Sequence, residues 1–593
     1  MGRSGRRALA IGIRTYRPLI TGKTHMAAAG HYLATASAYR ILEQGGNAVD
    51  AGVAAGITLN VVLPQYTSFA GVAPILIHHA EKQETVTISG LGRWPKAASI
   101  DYFNKNHGGK LPAGILRTVT PAAADAWLTA IKLYGTMSFQ QVVTPAMEIA
   151  EGGFPIPATL QRALAREGNA LIGDEGGPLP WPSTREIFVP NDQPLATGDV
   201  LVQKDLARTF QRLIQVENDN ASKGREDAIQ AVRDFFYHGE IAQEMVDFCQ
   251  EQGGLLTMED LADFHVGLEP PAVGSYKGVD VYTCGPWCQG PASIQALHIL
   301  EGFDLQTMGH NSADYIHTVL EALKLAFSDR HFFYGDPDFV DVPMEGLLSH
   351  AYAAQRATTI DPRRASAGMP AGGDPWAHQD GRSNGSKPAH PEAVAGRLEA
   401  DTSYVSVMDR WGNAFSATPS DGLGNAPVAK GLGFILSSRG SQSWLDEDHP
   451  SSLQPGKRPR LTPNPALAMK DGKVLMPFGT PGGDVQCQSM VQTFLNIIEF
   501  GMDPQQAIEA PRASTWSFPN SFYPHAYNPG LVAVEGRIDS GVVEDLRSRG
   551  HQVEVWDDWT SRMGGMCAIK VNQETGALYG GADPRRDGYA MGR

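Results

Sequence analysis

The chain has 593 residues, of which 42% are hydrophobic and 19% are charged, and its formal net charge is −15. This composition is typical of a globular protein and excludes a disordered or fibrous chain. The acidic balance argues against a nucleic-acid partner, because binding to phosphates needs clusters of lysine and arginine. At this length we expect two or three ordinary domains or one large enzyme domain.

The first residues, MGRSGRRALAIGIRTYRPL, combine arginines with a short apolar run. Arg14 ends that run too early for a signal peptide, so we expect a strand or an extended arm, with a signal peptide as the alternative. No window approaches the roughly 20 apolar residues of a membrane-spanning helix, and we therefore expect no membrane contact. The five cysteines are an odd number in a large chain, which favours a reducing cytoplasm over a disulfide framework.

Residues 31–64 predict two helices in succession. The first places its apolar residues on one face, and Gly45 and Gly46 can form its left-handed C-terminal cap. Asn47 is the expected N-cap of the second helix, which is apolar nearly all round and should be buried. The later elements are predicted, in chain order, as strands within 74–89, helices within 121–152 and 225–265, hairpins that turn at 411–413 and 471–472, and a helix over 488–500.

Residues 361–397 break this pattern, because glycine, proline, serine, alanine and charged residues dominate them and Trp376 is their one aromatic residue. Such a segment buries too little apolar surface to offset the entropy lost on ordering. It is either a long surface loop between elements or a segment that stays mobile because a reaction takes place at its end.

Three short motifs resemble known sites but lack the context that those sites need. GRSNG, at 381–385, matches the nucleophile elbow G-x-S-x-G, yet it lies in the polar segment instead of between a strand and a helix. Cys284 and Cys288 have one residue too many between them for a redox C-x-x-C motif. His78 and His79 fall in a predicted strand, where adjacent side chains point to opposite faces. With no spaced set of metal ligands either, we expect neither a metal ion nor a cofactor.

The sequence GTPGGD, residues 479–484, follows a predicted strand and permits three interpretations. Its backbone N–H groups could bind a phosphate, although the lysine of a P-loop and the spacing of a dinucleotide motif are both missing. Adjacent glycines also suit an oxyanion hole, where bare N–H groups approach a developing alkoxide closely. The third interpretation is a plain tight turn.

Asp401 and Thr402 join the polar segment directly to the predicted strand SYVSVMD. A threonine hydroxyl is a poor nucleophile unless a base lies within hydrogen-bonding reach. At a chain terminus its own α-amine can be that base, since the pKa of an α-amine, about 7.7–8.0, is near working pH. Attack of the Thr402 hydroxyl on the Asp401 carbonyl, followed by hydrolysis of the ester, would free that amine. The competing interpretation is simpler, because threonine commonly begins strands.

Motifs along nearly the whole chain resemble the γ-glutamyltransferase family of N-terminal-nucleophile hydrolases. The matching stretches are GGNAVDAGVAAG, GRWPKAAS, VTPAAADAWLTAIKLYGTMSFQQVVTPAMEIAEGGFPI, DTSYVSVMDRWGNAFSATPSDG, PGKRPRLTPNPALAMKDGK, GTPGGD and GGADPRRDGYAMG. The resemblance implies an α+β fold, a four-layer αββα sandwich built from one precursor. It also implies cleavage into a large subunit, residues 1–401, with a mobile pre-cleavage linker over 361–401, and a small subunit, residues 402–593.

The resemblance also assigns roles to individual positions. Thr402 matches the nucleophile and new N-terminus, and Ser420 matches the second hydroxyl residue, which hydrogen-bonds to it. Gly482 and Gly483 match the glycines whose N–H groups form the oxyanion hole. Arg93 matches the arginine that binds the α-carboxylate of the substrate.

The sequence departs from the family at positions that would bind the amino-acid head of a γ-glutamyl substrate. Leu461 and Thr462 replace a pair of serines, so Thr462 keeps a donor for the substrate carboxylate and Leu461 does not. Arg439 stands where the family has a glutamine, and the amino-binding aspartate is missing from its usual place, with Asp421 as a candidate substitute. A pocket that loses a carboxylate and gains an arginine disfavours a buried ammonium. This tilts the prediction toward other carboxylated acyl groups.

The residues and the resemblance together predict a self-processing enzyme that cleaves γ-glutamyl or related carboxylated acyl amides through an acyl-Thr402 intermediate, by hydrolysis, transfer or both. The alternatives are an amidohydrolase of the cephalosporin-acylase or oxamate-amidohydrolase kind and a catalytically inactive binding protein. The predicted partners are a small-molecule amide or γ-glutamyl substrate and the chain's own two subunits, with a dimer of such heterodimers left open. We expect a cytoplasmic location.

Overall fold

The computed structural model describes residues 14–167, 181–381, 390–394, 402–424 and 426–593. Its strands are β1 (Ile20–Gly22), β2 (Met26–Ala29), β3 (Ile75–His79), β4 (Glu84–Ile88), β5 (Phe154–Pro155), β6 (Val200–Leu201), β7 (Leu268–Glu269), β8 (Ala272–Tyr276), β9 (Val279–Thr283), β10 (Val405–Met408), β11 (Ala414–Ala417), β12 (Ala466–Lys470), β13 (Lys473–Gly479), β14 (Ala513–Thr515), β15 (Leu531–Glu535), β16 (Gln552–Trp556), β17 (Cys567–Val571), β18 (Leu578–Ala582) and β19 (Tyr589–Gly592).

Its helices are α1 (Tyr32–Glu43), α2 (Ala48–Val62), α3 (Ile100–His107), α4 (Ala123–Tyr134), α5 (Phe139–Gly152), α6 (Ala158–Glu167), α7 (Pro182–Phe188), α8 (Lys204–Asn220), α9 (Arg225–Tyr237), α10 (Glu240–Glu251), α11 (Met258–Ala262), α12 (Gly290–Leu300), α13 (Leu305–Met308), α14 (Ala313–Phe333), α15 (Met344–Leu347), α16 (His350–Ala357), α17 (Val485–Ile498), α18 (Pro504–Glu509) and α19 (Ser540–Ser548). Of the described helices, none is both long and apolar enough to cross a membrane. Residues 1–13 of the predicted N-terminal arm, most of the GRSNG motif and Asp401 lie outside the described residues.

Two 7-stranded sheets form the centre of the molecule. The first has the strand order β1-β18-β17-β13-β12-β9-β8, and the second has the order β19-β2-β10-β11-β3-β4-β7. An apolar layer that includes Tyr404, Met408, Leu467 and Ile569 packs between them. Helices α1 and α2 cover the outer face of the second sheet, and α12 and α17 cover that of the first. This four-layer αββα sandwich confirms the predicted α+β fold.

The cap residues of the first helix pair are as the sequence predicts. Gly45 has a φ of 95°, a left-handed conformation that glycine adopts without a Cβ clash. The Asn47 side chain accepts the N–H groups of Val49 and Asp50, and the Asp50 carboxylate accepts the Asn47 N–H in return. Every residue of α2 is buried, because the helix lies between the second sheet and the helices outside it.

The strand that follows Thr402 lies in the middle of the second sheet. It pairs antiparallel with β11 on one side and with β2 on the other. The predicted hairpin turn is confirmed, and Asp409 Oδ1 closes it by accepting the N–H groups of Trp411 and Asn413 at 2.9 and 3.0 Å. Strands from both predicted subunits, 1–401 and 402–593, are therefore neighbours in one sheet, while the division itself stays a prediction.

The first part of the predicted linker, residues 361–381, is packed against α14, and its mobility stays a prediction. Four buried polar residues of this helix form hydrogen bonds to the segment. The pairs are His317 with Asp361 O, Glu321 with Ser366, Ser328 with Pro370 O and Asp329 with the Gly373 N–H. Composition alone misses this arrangement, because the polar partners that order the segment belong to a helix elsewhere in the sequence. This packing concerns residues 361–381, and the rest of the predicted linker is described only over 390–394.

The second predicted hairpin is confirmed, and the helix after it begins earlier than predicted. Strands β12 and β13 pair antiparallel around Asp471, which has a φ of 51°. Helix α17 begins at Val485 instead of residue 488. The chain turns directly from β13 into this helix because two adjacent glycines adopt positive φ angles.

Candidate active site

Thr402 lies just before β10, with its side chain fully buried. The N–H of Ser403 donates to Pro419 O at 2.9 Å, which continues the antiparallel pairing past the ends of β10 and β11. As a result, the hydroxyl oxygens of Thr402 and Ser420 lie 2.8 Å apart and share a hydrogen bond. The structure thus brings the predicted nucleophile and the predicted second hydroxyl residue together.

The backbone of Thr402 has a φ of 137°, which a β-branched residue rarely adopts. Strain of this kind costs about 1–3 kcal/mol and persists where the surrounding structure imposes it. The φ torsion involves the carbonyl carbon of the preceding residue, so hydrolysis of the Asp401–Thr402 bond would remove the constraint. The conformation therefore favours cleavage at the predicted bond.

A buried ion pair lies beside the two hydroxyl groups. Arg439 Nη2 donates to Ser420 Oγ, and Arg439 Nε lies 3.1 Å from Asp421 Oδ1. Asp421 also accepts the hydroxyl groups of Ser437 and Ser438 at 2.7 and 3.1 Å. Both charged side chains are at most 1% exposed. The carboxylate that was the candidate amino-binding group is therefore already engaged by protein donors.

Gly482 and Gly483 form the turn between β13 and α17, with φ angles of 129° and 56°. Residues with a Cβ rarely adopt either angle, so the turn needs glycine. Among the described residues, neither N–H donates to a protein acceptor, although both glycines are buried. Buried donors without an acceptor are rare, and these two suit an oxyanion. Gln486 Nε2, in the first turn of α17, lies 3.5 Å from Thr402 Oγ1, so the glycine turn is beside the hydroxyl.

Gln289 and Arg330 support the glycine turn from behind, and neither was predicted from the sequence. Gln289 Nε2 donates to the carbonyl oxygens of Gly483 and Thr462 at 2.9 and 2.7 Å. Arg330 Nη1 donates to Gln289 Oε1 at 3.0 Å and pairs with Asp484 Oδ1 at 2.5 Å. Gln289 has an amide side chain without a titratable group, and no sequence motif includes it. Its role is visible only from its contacts in the folded chain.

The two remaining predicted binding residues occupy different places. Thr462 belongs to the buried site, where its Oγ1 accepts a hydrogen bond from Gln442 Nε2 at 2.9 Å. Arg93 is 35% exposed and pairs with Asp338 at 2.7 Å. Within the described ranges, no hydrogen bond or ion pair joins Arg93 to Thr402. Its predicted role in binding the substrate carboxylate stays a prediction.

Tyr404 is the nearest titratable residue along the strand, and it does not supply a base. Its hydroxyl shares a hydrogen bond with Ser416 Oγ at 2.7 Å. Burial raises the pKa of the Tyr404 phenol, because the apolar layer between the sheets penalises the phenolate. The phenol stays neutral, so Tyr404 does not act as a base for Thr402.

Three potential metal ligands that the sequence did not predict meet outside this site. In the described part of the chain, His317, Glu321 and His551 place one ligand atom each within 4.8 Å of the others. However, Glu321 accepts hydrogen bonds from the buried Lys324 ammonium at 2.7 Å and, through its other oxygen, from Ser366 at 2.7 Å. A cation there would face this ammonium, so the cluster is better suited to anchoring the segment after Asp361 than to holding an ion.

Comparison with known proteins shows similarity over nearly the whole chain. The family model described as gamma-glutamyltranspeptidase matches residues 34–593. The glutathione hydrolase-like YwrD proenzyme of Bacillus subtilis is 34% identical over 97% of this chain and 99% of its own length. The glutathione hydrolase proenzyme of the same organism is 31% identical over 97% and 93%. The crystal structure of cephalosporin acylase from Bacillus halodurans, 28% identical, superposes with a TM-score of 0.83 over 99% of this chain and 98% of that one.

Proposed function

The chain belongs to the gamma-glutamyltranspeptidase family, and from that premise we propose that its preferred substrate is an amide whose acyl group carries a carboxylate and no free ammonium. The protein is a self-processing N-terminal-threonine enzyme that cleaves γ-glutamyl or related carboxylated acyl amides. Its large and small subunits come from one precursor. The alternative of a catalytically inactive binding protein is therefore set aside, and the open question is the acyl group.

The proposed reaction has two stages. Thr402 Oγ attacks the carbonyl carbon of the amide while the free α-amine of Thr402 takes the hydroxyl proton. The N–H groups of Gly482 and Gly483 stabilise the oxyanion of the tetrahedral intermediate. The C–N bond then breaks and the leaving amine takes the proton, which leaves an ester on Thr402. Water attacks that ester, releases the acid and restores the hydroxyl.

The observation that supports this substrate class is the ion pair between Arg439 and Asp421. The guanidinium group donates to Ser420 Oγ, which itself bonds to the Thr402 hydroxyl, so a fixed positive charge lies close to the reacting atoms. The Asp421 carboxylate is already bound by Arg439, Ser437 and Ser438. A substrate ammonium there would find this carboxylate already engaged, and burying the ammonium without a partner would cost several kcal/mol.

The names of the relatives support both sides of this choice. Two curated relatives are named as glutathione hydrolases or as similar to one, which favours γ-glutamyl substrates. The superposed structure, a cephalosporin acylase, favours an acyl group of another kind. The ion pair decides between them in our proposal, because it is a property of this chain's own residues.

The test uses two substrates that differ only in the α-ammonium group. Glutaryl-p-nitroanilide and γ-glutamyl-p-nitroanilide release the same chromophore, so kcat/KM for each is measured by absorbance with one preparation of processed enzyme. We expect glutaryl-p-nitroanilide to be favoured by about tenfold or more, since each 1.4 kcal/mol of selectivity is worth a factor of ten. Thr402→Ala serves as the blank. A preference for γ-glutamyl-p-nitroanilide would contradict the proposal and point to a glutathione hydrolase.

The cytoplasmic location is also a proposal. The five cysteines, Cys249, Cys284, Cys288, Cys487 and Cys567, are free and buried, which fits a reducing compartment. Subcellular fractionation of the native host, followed by immunoblotting for the small subunit, tests it. Recovery of the subunit in the periplasmic or extracellular fraction would contradict it.

A further inference from the structure

We propose that Arg439 is a positioning residue for the nucleophile: acting through Ser420, it sets the direction of the hydrogen bond to Thr402 and leaves the Thr402 hydroxyl proton free for the base. The inference rests on Thr402 as the nucleophile, as in the proposed function. It does not depend on which acyl group the enzyme prefers. It also gives Arg439 a different role from the substrate contact that the sequence predicted.

The first step follows from what each group can donate. A guanidinium group has only donors, so Ser420 Oγ accepts its hydrogen bond from Arg439. Ser420 has a single hydroxyl hydrogen, and Thr402 Oγ1, 2.8 Å away, is the one other hydrogen-bond partner of that hydroxyl among the described residues. Ser420 is fully buried. The Ser420 hydroxyl therefore donates to Thr402 Oγ1, and the reverse direction would leave a buried hydroxyl hydrogen without an acceptor.

The second step concerns Thr402 itself. Its Oγ1 receives the hydrogen bond from Ser420 and lies 3.5 Å from the amide nitrogen of Gln486, a second donor. Neither neighbour can take a proton from Oγ1 in this arrangement. The Thr402 proton is therefore directed to the base, and the donors stabilise the negative charge that develops on Oγ1 during attack. The guanidinium charge strengthens the Ser420 donor, because charge-assisted hydrogen bonds polarise the groups that they join.

The third step explains why the arginine stays in place. Asp421 Oδ1 lies 3.1 Å from Arg439 Nε, and the guanidinium carbon is 5.4 Å from the centre of the Phe522 ring. Ser437 and Ser438 hold the carboxylate in turn. The Arg439 guanidinium group is therefore held by Asp421 at one edge and by the Phe522 ring on one face. These two contacts fix the direction from which it donates to Ser420. A lysine can offer a donor and a charge there but not the second contact to Asp421.

The experiment compares full-length variants that keep the buried charge balanced. Arg439→Met combined with Asp421→Asn removes the donor to Ser420 without leaving an unpaired carboxylate, so the protein can fold. Arg439→Lys is the conservative variant. Ser420→Ala, alone and together with the double variant, tests whether Arg439 acts through Ser420. For each protein we measure the rate of self-processing on denaturing gels, and kcat and KM with whichever chromogenic amide the wild type turns over.

For the double variant we expect kcat and the processing rate to fall by about 10–100-fold, less than the loss of a direct oxyanion donor, and KM to stay within about threefold. Arg439→Lys should retain most of the wild-type kcat and processing rate. Adding the double variant to Ser420→Ala should cause little further loss, since both changes remove the same hydrogen bond.

Three results would overturn the proposal. They are a folded double variant with wild-type kcat and processing, a change confined to KM, and losses that add fully to those of Ser420→Ala. Self-processing involves no added substrate, so its rate tests the role of Arg439 even where the proposed acyl preference fails.

Discussion

The hydroxyl oxygens of Thr402 and Ser420 lie 2.8 Å apart, although the two residues are 18 positions apart in the chain. The β10–β11 hairpin brings them together, because antiparallel pairing places the residues after β11 beside the residues before β10. Ser420 in turn contacts Arg439, which binds Asp421. The nucleophile is thus tied to a buried charge pair through one neutral hydroxyl.

Replacement of Thr402 tests both self-processing and catalysis. Thr402→Ala should remain a single band of 63.8 kDa on a denaturing gel, because no hydroxyl can attack the preceding carbonyl. Wild type should give bands of about 43 and 21 kDa, in proportion to residues 1–401 and 402–593 of that mass. Thr402→Ser keeps the hydroxyl and should still process. A two-band pattern from Thr402→Ala would show that another residue performs the cleavage.

Replacement of Gly482 tests the oxyanion role of the glycine turn. An added Cβ would meet Gly564 Cα at 3.5 Å, an ordinary contact, so the change acts mainly through the backbone angle of 129°. Gly482→Ala should shift the N–H away from the oxyanion and lower kcat by about 100-fold.

The matched control is Gly472→Ala, at a left-handed position in the β12–β13 turn with no atom near the added Cβ. Both variants should lose about 1–2 kcal/mol of stability, which denaturant unfolding measures. Only Gly482→Ala should lose activity. Equal activity of the two variants would argue against an oxyanion role for Gly482.

The buried His31 gives the protein a dependence on pH. Its Nδ1 accepts the Leu33 N–H at 3.2 Å as the N-cap of α1, and burial lowers the pKa of the imidazole to about 4. The unfolded chain takes up a proton below a pKa of about 6.5 while the folded one does not, so stability is lost as pH falls from 6.5 toward 4. Between pH 7 and 5 the loss is about 2 kcal/mol.

His31→Asn keeps an N-cap acceptor and removes the titration. We expect it to reduce the fall in unfolding free energy between pH 7 and 5 by about 2 kcal/mol, measured in urea for both proteins at each pH, while other buried histidines with lowered pKa values, such as His298 and His525, keep their share. The pH 7 values serve as the reference for any packing lost in the smaller side chain. The same fall in wild type and variant would place the acid sensitivity elsewhere.

Asp329 should be essential for the segment that packs against α14. Its carboxylate is fully buried and binds the Gly373 N–H at 2.9 Å, the Tyr352 hydroxyl at 2.8 Å and Arg356 at 3.3 Å. Asp329→Ala removes the buried carboxylate that these donors share and should destabilise the protein by about 3–5 kcal/mol. Limited proteolysis should then cut within residues 361–381.

Ser328→Ala is the control for this experiment. It removes one neutral hydrogen bond, from the Ser328 hydroxyl to Pro370 O, and should cost about 1 kcal/mol without exposing the segment. If proteolysis in the Asp329 variant left residues 361–381 intact, the segment would be held by its apolar contacts instead.

Local features could be predicted from the sequence because they depend on residues close together in the chain. The cap at Asn47, the hairpin turns around Gly412 and Gly472, and the buried strand after Thr402 each follow from side-chain hydrogen bonds, backbone angles or two-residue alternation. The helix after the glycine turn was placed three residues late, because buried glutamines interrupt its apolar pattern.

The sequence by itself determined the family, the four-layer fold and a short set of reactive candidates, since these rest on ordered motifs and local periodicity. Only the tertiary structure decided how the candidates combine. It joined Arg439 to Ser420 and Asp421, placed Gln289 behind Gly483, and paired the half-buried Arg93 with Asp338. The physical reason is that such contacts depend on how separate strands and helices pack, and a hydrogen bond is gained or lost within about 1 Å of displacement.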